Sequence, residues 1–370
     1  MATPPTESQG SFRLERVFPS DALLKIRKVL SKTPELQRLI DQQLVRLYAI
    51  VDANVVNAEL RWRLGSRREP QARSGLEEAL DSGVLVLIAP VYLKAEIEEH
   101  LADIAAETGA TLSDVNREWE QFQSKLRFYE PSSRVLAGEV IDPDDLPYKQ
   151  ASEELGLPVY TRDPHLVKMG APVVWVCIDI ALRNHARARS VTLGVTLGST
   201  YSLTIGVEAL RAASRLIKSL YDGFGRLPTW LQVAIAGALA AIVIHPKSRA
   251  KLLQVWESIC ANVNGATAPL LDAFINLADQ IATANATADE AKRQIEAALP
   301  PLKTGSAVVY ARRICLLSES PLPLAEIARR MRNEGYVSRS KDFEGYLRRV
   351  LRESGQFLEV PRGVWRLRPL

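Results

Sequence analysis

Between residues 45 and 180 one pattern recurs, and it constrains the fold more than any other feature. Short apolar, β-branched runs are each followed by residues of helical period. "RLYAIVDANVV", read as strand with its apolar run broken at Asp52, leads into "NAELRWRLGS", "VLVLIAP" into "VYLKAEIEEHLADIAAETG", and "LPVYTRD" and "PVVWVCI" complete the set. A run without polar alternation suits a strand buried on both faces. Such strands alternating with helices predict a parallel sheet within an α/β domain. Between them, "TLSDVNREWEQFQSKL" reads as a helix with Ser113 as its N-cap, and "LPYKQASEELG" as a helix fed by the loop "DPDD".

The rest of the chain has a different character. Residues 1–44 read as a polar tail and a helical extension interrupted near Pro34. Residues 45–185 hold the α/β pattern, residues 186–299 are Ala/Leu-rich and predict an all-α middle region, 300–306 ("PPLKTGS" and its flank) form a linker, and 307–370 form a compact basic module. With 370 residues and 47% hydrophobic content, the chain can build more than one core. Cys177, Cys260 and Cys315 are far apart and form no CxxC, which argues against a disulfide framework or a thiolate zinc site. The N-terminus lacks the apolar stretch of a secretory signal, and the expectation is a cytoplasmic protein. Neither a GxxxxGK[ST] loop nor a GxGxxG turn is present, so nucleotide binding through those motifs is not expected. His100, His165, His185 and His245 show no metal-ligand spacing; His165, two residues beyond Asp163, lies near enough in sequence to approach the site, but the favoured reading is a surface-loop histidine.

The carboxylates are placed more tellingly. In open α/β sheets, ligands gather at the carboxyl ends of the strands. Asp52 ends the first strand, Asp163 ends "LPVYTRD", Glu96 lies early in the helix after "VLVLIAP", and Asp142, Asp144 and Asp145 lie in the loop before "LPYKQASEELG". Acids crowded at one edge repel and call for a hard divalent cation such as Mg²⁺ or Mn²⁺.

On these residues the segment 45–180 resembles the PIN-domain ribonucleases, a family that includes toxins of bacterial toxin–antitoxin pairs. "IVDANVV" is similar to the family's first strand with its first acid, "IAPVYLKAEIEEHL" to its second-acid helix, and "DPDDLPYKQASEELGLPVYTRD" to the segment bearing its third and fourth acids. The resemblance implies Asp52, Glu96, Asp145 and Asp163 as catalytic ligands of Mg²⁺ or Mn²⁺, with Asp142 and Asp144 as alternatives in the third position. It further implies Asn54, Thr161 and Arg162 as supporting residues and RNA as substrate, and it leaves open single-stranded DNA and an inhibitory antitoxin partner. The expected activity is metal-dependent endonucleolytic hydrolysis. The competing readings are a non-catalytic nucleic-acid-binding regulator on a PIN scaffold and a membrane-tethered nuclease effector.

Residues 307–370 read as three helices and a hairpin, "QFLEVPRGVWRLRPL", with its turn at Pro361–Gly363. This segment is similar to winged helix-turn-helix modules of the HARE-HTH kind. It carries 13 Lys and Arg against 7 Asp and Glu, a net charge of +6, whereas the whole chain carries +4. Basic charge concentrated in this way favours a phosphate backbone. Arg339, Lys341, Arg348, Arg349 and Arg352 lie on or before the candidate recognition helix, and Arg362 lies on the wing.

In the middle region, "WLQVAIAGALAAIVIH" is apolar all round, and Gly194, Gly198, Ser202 and Gly206 recur every four residues. An all-apolar helix suits the core of a bundle, so the favoured reading is a homo-oligomer assembled through residues 190–245. The alternative is an inner-membrane hairpin with both flanking domains cytoplasmic. Against it, the apolar run falls short of the ~20 residues a spanning helix needs. Arg211, Arg215, Lys218 and Arg226 would also lie in the translocated loop.

Overall fold

A computed structural model describes residues 14, 18–24, 44–67, 69, 71–132, 141–201, 268–300, 305–318, 320–361 and 363–368, without the side chains of 196–201 and 268–278. The chain enters β1 (Leu47–Val51) and α1 (Ala53–Arg61), which ends in a π-helical turn, Trp62–Ser66. Next come α2 (Gly75–Asp81), β2 (Leu85–Pro90), α3 (Tyr92–Thr108), α4 (Leu112–Gln123) and β3 (Arg127–Tyr129). α5 (Leu146–Leu155), β4 (Val159–Thr161), the single turn α6 (His165–Lys168) and β5 (Val173–Trp175) follow. Then come the long helices α7 (Asp179–Tyr201) and α8 (Ala268–Ala298). The C-terminal elements are α9 (Ala307–Leu316), β6 (Leu322–Pro323), α10 (Leu324–Asn333), α11 (Phe343–Glu353), β7 (Phe357–Glu359) and β8 (Val364–Leu367).

The expected α/β architecture is present. Five strands form one parallel sheet in the order β3-β2-β1-β4-β5, flanked by helices. Ile50, Val51, Leu87, Ile88, Val159, Tyr160 and Val174 are wholly buried, which explains why these strands read as continuous apolar runs. The edge strand β3 carries no such signature. It is three residues long, only Tyr129 is buried, and sequence reading passes over it. Two helices start earlier than the sequence reads: α1 begins at Ala53, capped by Asp52, and takes in Val55 and Val56, which read as strand, and α4, which precedes β3, begins at Leu112. Thr111, not Ser113, caps α4, because its hydroxyl accepts the Asp114 N–H at 3.2 Å.

Two compact units emerge, and neither is continuous in sequence. One holds the described residues within Leu47–Ala72, Val86–Cys177 and Ala297–Leu370; the other holds those within Met1–Arg46, Arg73–Leu85 and Ile178–Glu296. The boundaries 45–185 and 307–370 therefore do not separate the packing units. α2 packs along α7, where buried Glu78 accepts bidentate hydrogen bonds from Arg187 and a third from the Ser20 hydroxyl. The C-terminal elements join the unit of the sheet, around their own core of Ala311, Ile314, Ile327, Met331, Leu347, Leu351 and Trp365. There, β6, β8 and β7 pair antiparallel in that order.

In the other unit, Gly194 lies against the ring of Phe18 with no room for a Cβ, so that position of the small-residue stripe serves a ring contact. Ser202, Gly206, Arg211, Arg215, Lys218, Arg226 and the apolar helix 230–245 lie outside the described residues, as do Arg362 and 301–304. Among the described residues no helix is long and apolar enough to cross a membrane.

The unit of the sheet also buries a charge cluster. Arg63, in the π-helical turn, pairs with Glu59 at 3.2 Å and Glu118 at 3.3 Å, and its guanidinium lies 5.3 Å from the centre of the Phe122 ring. Removing the arginine leaves two buried carboxylates without it, a loss of about 3–5 kcal/mol for broken buried pairs. We expect Arg63→Met to lower the urea midpoint accordingly, and Arg61→Met, at an exposed pair with Glu107, to change it little.

Candidate metal centre

From β1 the chain proceeds to β2 and β3 on one side, while β4 and β5 lie on the other. The carboxyl ends of β1 and β4 therefore flank the point where strand order reverses, the crevice in which open α/β sheets receive ligands. Asp52 follows β1 directly. Its N–H extends the ladder to the Tyr160 carbonyl at 3.2 Å, which fixes the residue while its side chain turns into the crevice mouth. It is 2% exposed.

A short network holds this carboxylate against its neighbour. The Thr161 hydroxyl donates to Asp52 Oδ2 and itself accepts the Asp163 N–H at 2.8 Å. Asn54 Nδ2 reaches Asp52 Oδ2 and Asp163 Oδ2, each at 3.4 Å. Asp163 Oδ1 accepts the His165 N–H at 2.8 Å and lies 3.4 Å from His165 Nδ1. Asp52 also caps α1 through the Asn54 N–H at 3.5 Å, so the carboxylate that ends the strand starts the helix too.

The loop before α5 divides its acids by task. Asp142 Oδ1 accepts the Asp144 N–H at 3.0 Å and builds the turn, and Asp144 accepts the Tyr92 hydroxyl at 2.9 Å. Asp145 occupies the N-cap position of α5, yet its side chain makes no capping hydrogen bond. The residue is 7% exposed, and its Oδ2 is buried without a hydrogen-bond partner. One ligand atom each from Asp142, Asp145 and His165 lie within 4.8 Å of one another. Glu96, from α3, accepts the hydroxyl of buried Tyr148, which is on α5.

Electrostatics tie the four acids together. Burial pushes Glu96 up to about 7, with Asp52, Asp144 and Asp145 adding repulsion and the Tyr148 hydrogen bond opposing it. Burial also pushes Asp145 up to about 6, reinforced by Asp52, Asp163 and Asp142. Asp52 is raised by burial, against the stabilising hydrogen bonds from Thr161 and Asn54. Among the described residues, no lysine or arginine pairs with Asp52, Glu96, Asp145 or Asp163. An arrangement that raises carboxyl pKa values and supplies no fixed cation suits a bound one.

Asp52, Glu96, Asp145, Asp163, Asn54, Thr161, Asp142 and Asp144 thus converge, whereas Arg162 is exposed. His165, whose two-residue spacing from Asp163 makes it a candidate neighbour of the site, lies beside Asp163 and is not confined to the surface loop the sequence favours. Tyr148 and Tyr92 carry no sequence signal, because each meets its partner across some 50 residues of chain. Compared with protein-family models, with curated proteins and with solved structures, the chain matches none.

The raised carboxyls have a signed consequence. Glu96 holds its proton more tightly when folded (about 7) than at its ordinary 4.5, so its stabilising contribution is complete below pH 4.5 and is lost as pH rises through 7. In EDTA, Glu96→Gln should gain stability relative to wild type across that window and none below it, as read by thermal melts at matched pH. Mn²⁺ added at pH 7 should raise the wild-type melting temperature more than that of Glu96→Gln.

Proposed function

We propose that the protein is a metal-dependent endonuclease of PIN type that hydrolyses RNA. The reading is carried by the convergence of Asp52, Glu96, Asp145 and Asp163 from four chain segments onto one crevice, with a buried, unpartnered oxygen of Asp145 among them. These four acids would hold Mg²⁺ or Mn²⁺, with Asp142 and His165 beside Asp145. Such an ion, when bound, supplies Lewis acidity, lowering the pKa of water and offsetting charge that develops on a phosphodiester.

The chain's own residues orient and exclude. Thr161 and Asn54 fix the carboxylates of Asp52 and Asp163, and Tyr148 fixes Glu96. Tyr92, 40% exposed and hydrogen-bonded to Asp144, offers a ring at the rim where an unstacked base can rest.

Recruitment falls to the C-terminal module, three helices with a small antiparallel sheet, which we read as a winged helix. Arg339, Lys341, Arg348, Arg349 and Arg352 are exposed on it. Arg352 pairs with Glu359 at 2.9 Å and Arg349 lies 6.0 Å from the centre of the Tyr346 ring. Arg339, Lys341 and Arg348 are then the side chains best able to meet phosphates.

Two experiments test this. Labelled RNA and single-stranded DNA are incubated with protein and Mn²⁺, Mg²⁺ or EDTA. RNA should be cut only with metal, and Asp52→Asn and Asp163→Asn should each abolish cutting while keeping the wild-type far-UV spectrum. Cleavage at wild-type rates by both variants places the chemistry elsewhere, and metal-bound protein that cuts nothing favours a non-catalytic binder. Separately, affinity for RNA should fall with salt, and Arg348→Ala should lower the log–log slope by roughly 0.7, the single-strand value for one lost phosphate contact.

A further inference from the structure

Helix α5 carries Asp145 at its start and Tyr148, the partner of Glu96, in its first turn. Its other end is gripped by the C-terminal module. Arg312 of α9, 7% exposed, donates from Nη1 to the Glu154 carbonyl at 2.6 Å and lies 3.5 Å from the Glu154 carboxylate. Its Nε donates to Gln356 Oε1 at 3.0 Å. Arg313 Nη1 donates to the carbonyls of Gly156 at 3.1 Å and Leu155 at 3.3 Å. These carbonyls belong to the last turn of α5, where intrahelical donors run out and the helix dipole is negative. Gly156, which ends the helix with φ +61°, sits so close to α9 that a Cβ would come within 2.9 Å of Val309 Cγ1.

The same contact reaches the helix of Glu96. Glu154 accepts the Tyr129 hydroxyl and the Ser132 N–H, and the Tyr129 carbonyl accepts the N–H of Val91, the N-cap of α3. One buried arginine is therefore connected through Glu154 to both helices that bring acids to the crevice.

We infer that Arg312, seconded by Arg313, is a positioning residue for the metal centre: α9 brackets α5, and the C-terminal module is part of the framework that sets Asp145 and Glu96 in register. The inference rests on the metal-centre reading above. Supporting residues of this kind typically change metal affinity 10- to 100-fold when altered. A module bolted to α5 also holds its basic surface in a fixed relation to the acids, unlike a tethered recruitment domain.

The test uses the full chain and Mn²⁺ as probe, with affinity read by electron paramagnetic resonance of the free ion and backbone opening by amide hydrogen exchange. Arg312→Met and Gly156→Ala should each weaken Mn²⁺ about tenfold or more. They should also speed exchange in α5 and the first turn of α3 while α11 keeps its protection. Arg312→Lys, which retains one donor, should fall between, and Arg366→Ala, exposed on the same module, should match wild type. Wild-type affinity with unchanged α5 protection in both variants overturns the inference. So does exchange that rises evenly across the sheet and the module, the mark of a general loss of stability. If wild type binds no Mn²⁺, the metal reading fails, and exchange alone decides the bracket by the same criteria.

Discussion

Like-charge repulsion at the carboxyl ends of β1 and β4 is the constraint around which the rest of this structure is arranged. Carboxylates left to themselves would separate or turn to solvent. Here Asp52 is buried, Asp145 nearly so, and Glu96 is held by a buried tyrosine. The cost appears as raised pKa values on all three, with burial as the leading cause in each. What sustains the arrangement is a backbone held from both sides: a parallel sheet whose central strands are mostly buried and a short hydrogen-bond network through Thr161 and Asn54. A cation with oxygen ligands turns this cost into binding affinity, and that is the physical sense of the proposed function.

The second dependence runs along α5. One helix places an acid at its N-terminus, a positioning tyrosine in its first turn and three bare carbonyls at its C-terminus, and the C-terminal arginines answer those carbonyls. A module that looks separable along the chain is thereby joined to the framework that carries the acids, which explains why packing groups 297–370 with the sheet. The acids of "DPDD" differ in what they do. Asp142 makes the turn that such a loop usually makes, while Asp145 declines the capping role and keeps an oxygen free.

Much of this was legible in the chain. The continuous apolar runs mark β1 and β2 because burial on both faces removes alternation, and the end of a parallel strand is where a functional acid is looked for. That logic reaches Asp52 and Asp163 from local pattern and brings in Glu96 and the loop acids by their place beside the same strand ends, whereas choosing Asp145 over Asp142 and Asp144 needed the family resemblance. β3 escaped because three residues on an edge, only one of them buried, carry no period. Thr111 and Ser113 are both competent caps, and only the observed backbone distinguishes them.

What the sequence by itself determined, then, is the local part: where strands and helices alternate, where basic charge concentrates, and which acids lie at strand ends. Tertiary structure alone decided which residues meet. Tyr148 reaches Glu96, Tyr92 reaches Asp144, and Arg312 reaches Glu154, across sequence separations from 52 to 158 residues. Hydrophobic periodicity records how much a side chain is buried and on which face of its own element, because burial follows area. It holds no record of the partner, since hydrogen bonds and ion pairs between distant elements depend on the angles and registers at which those elements pack.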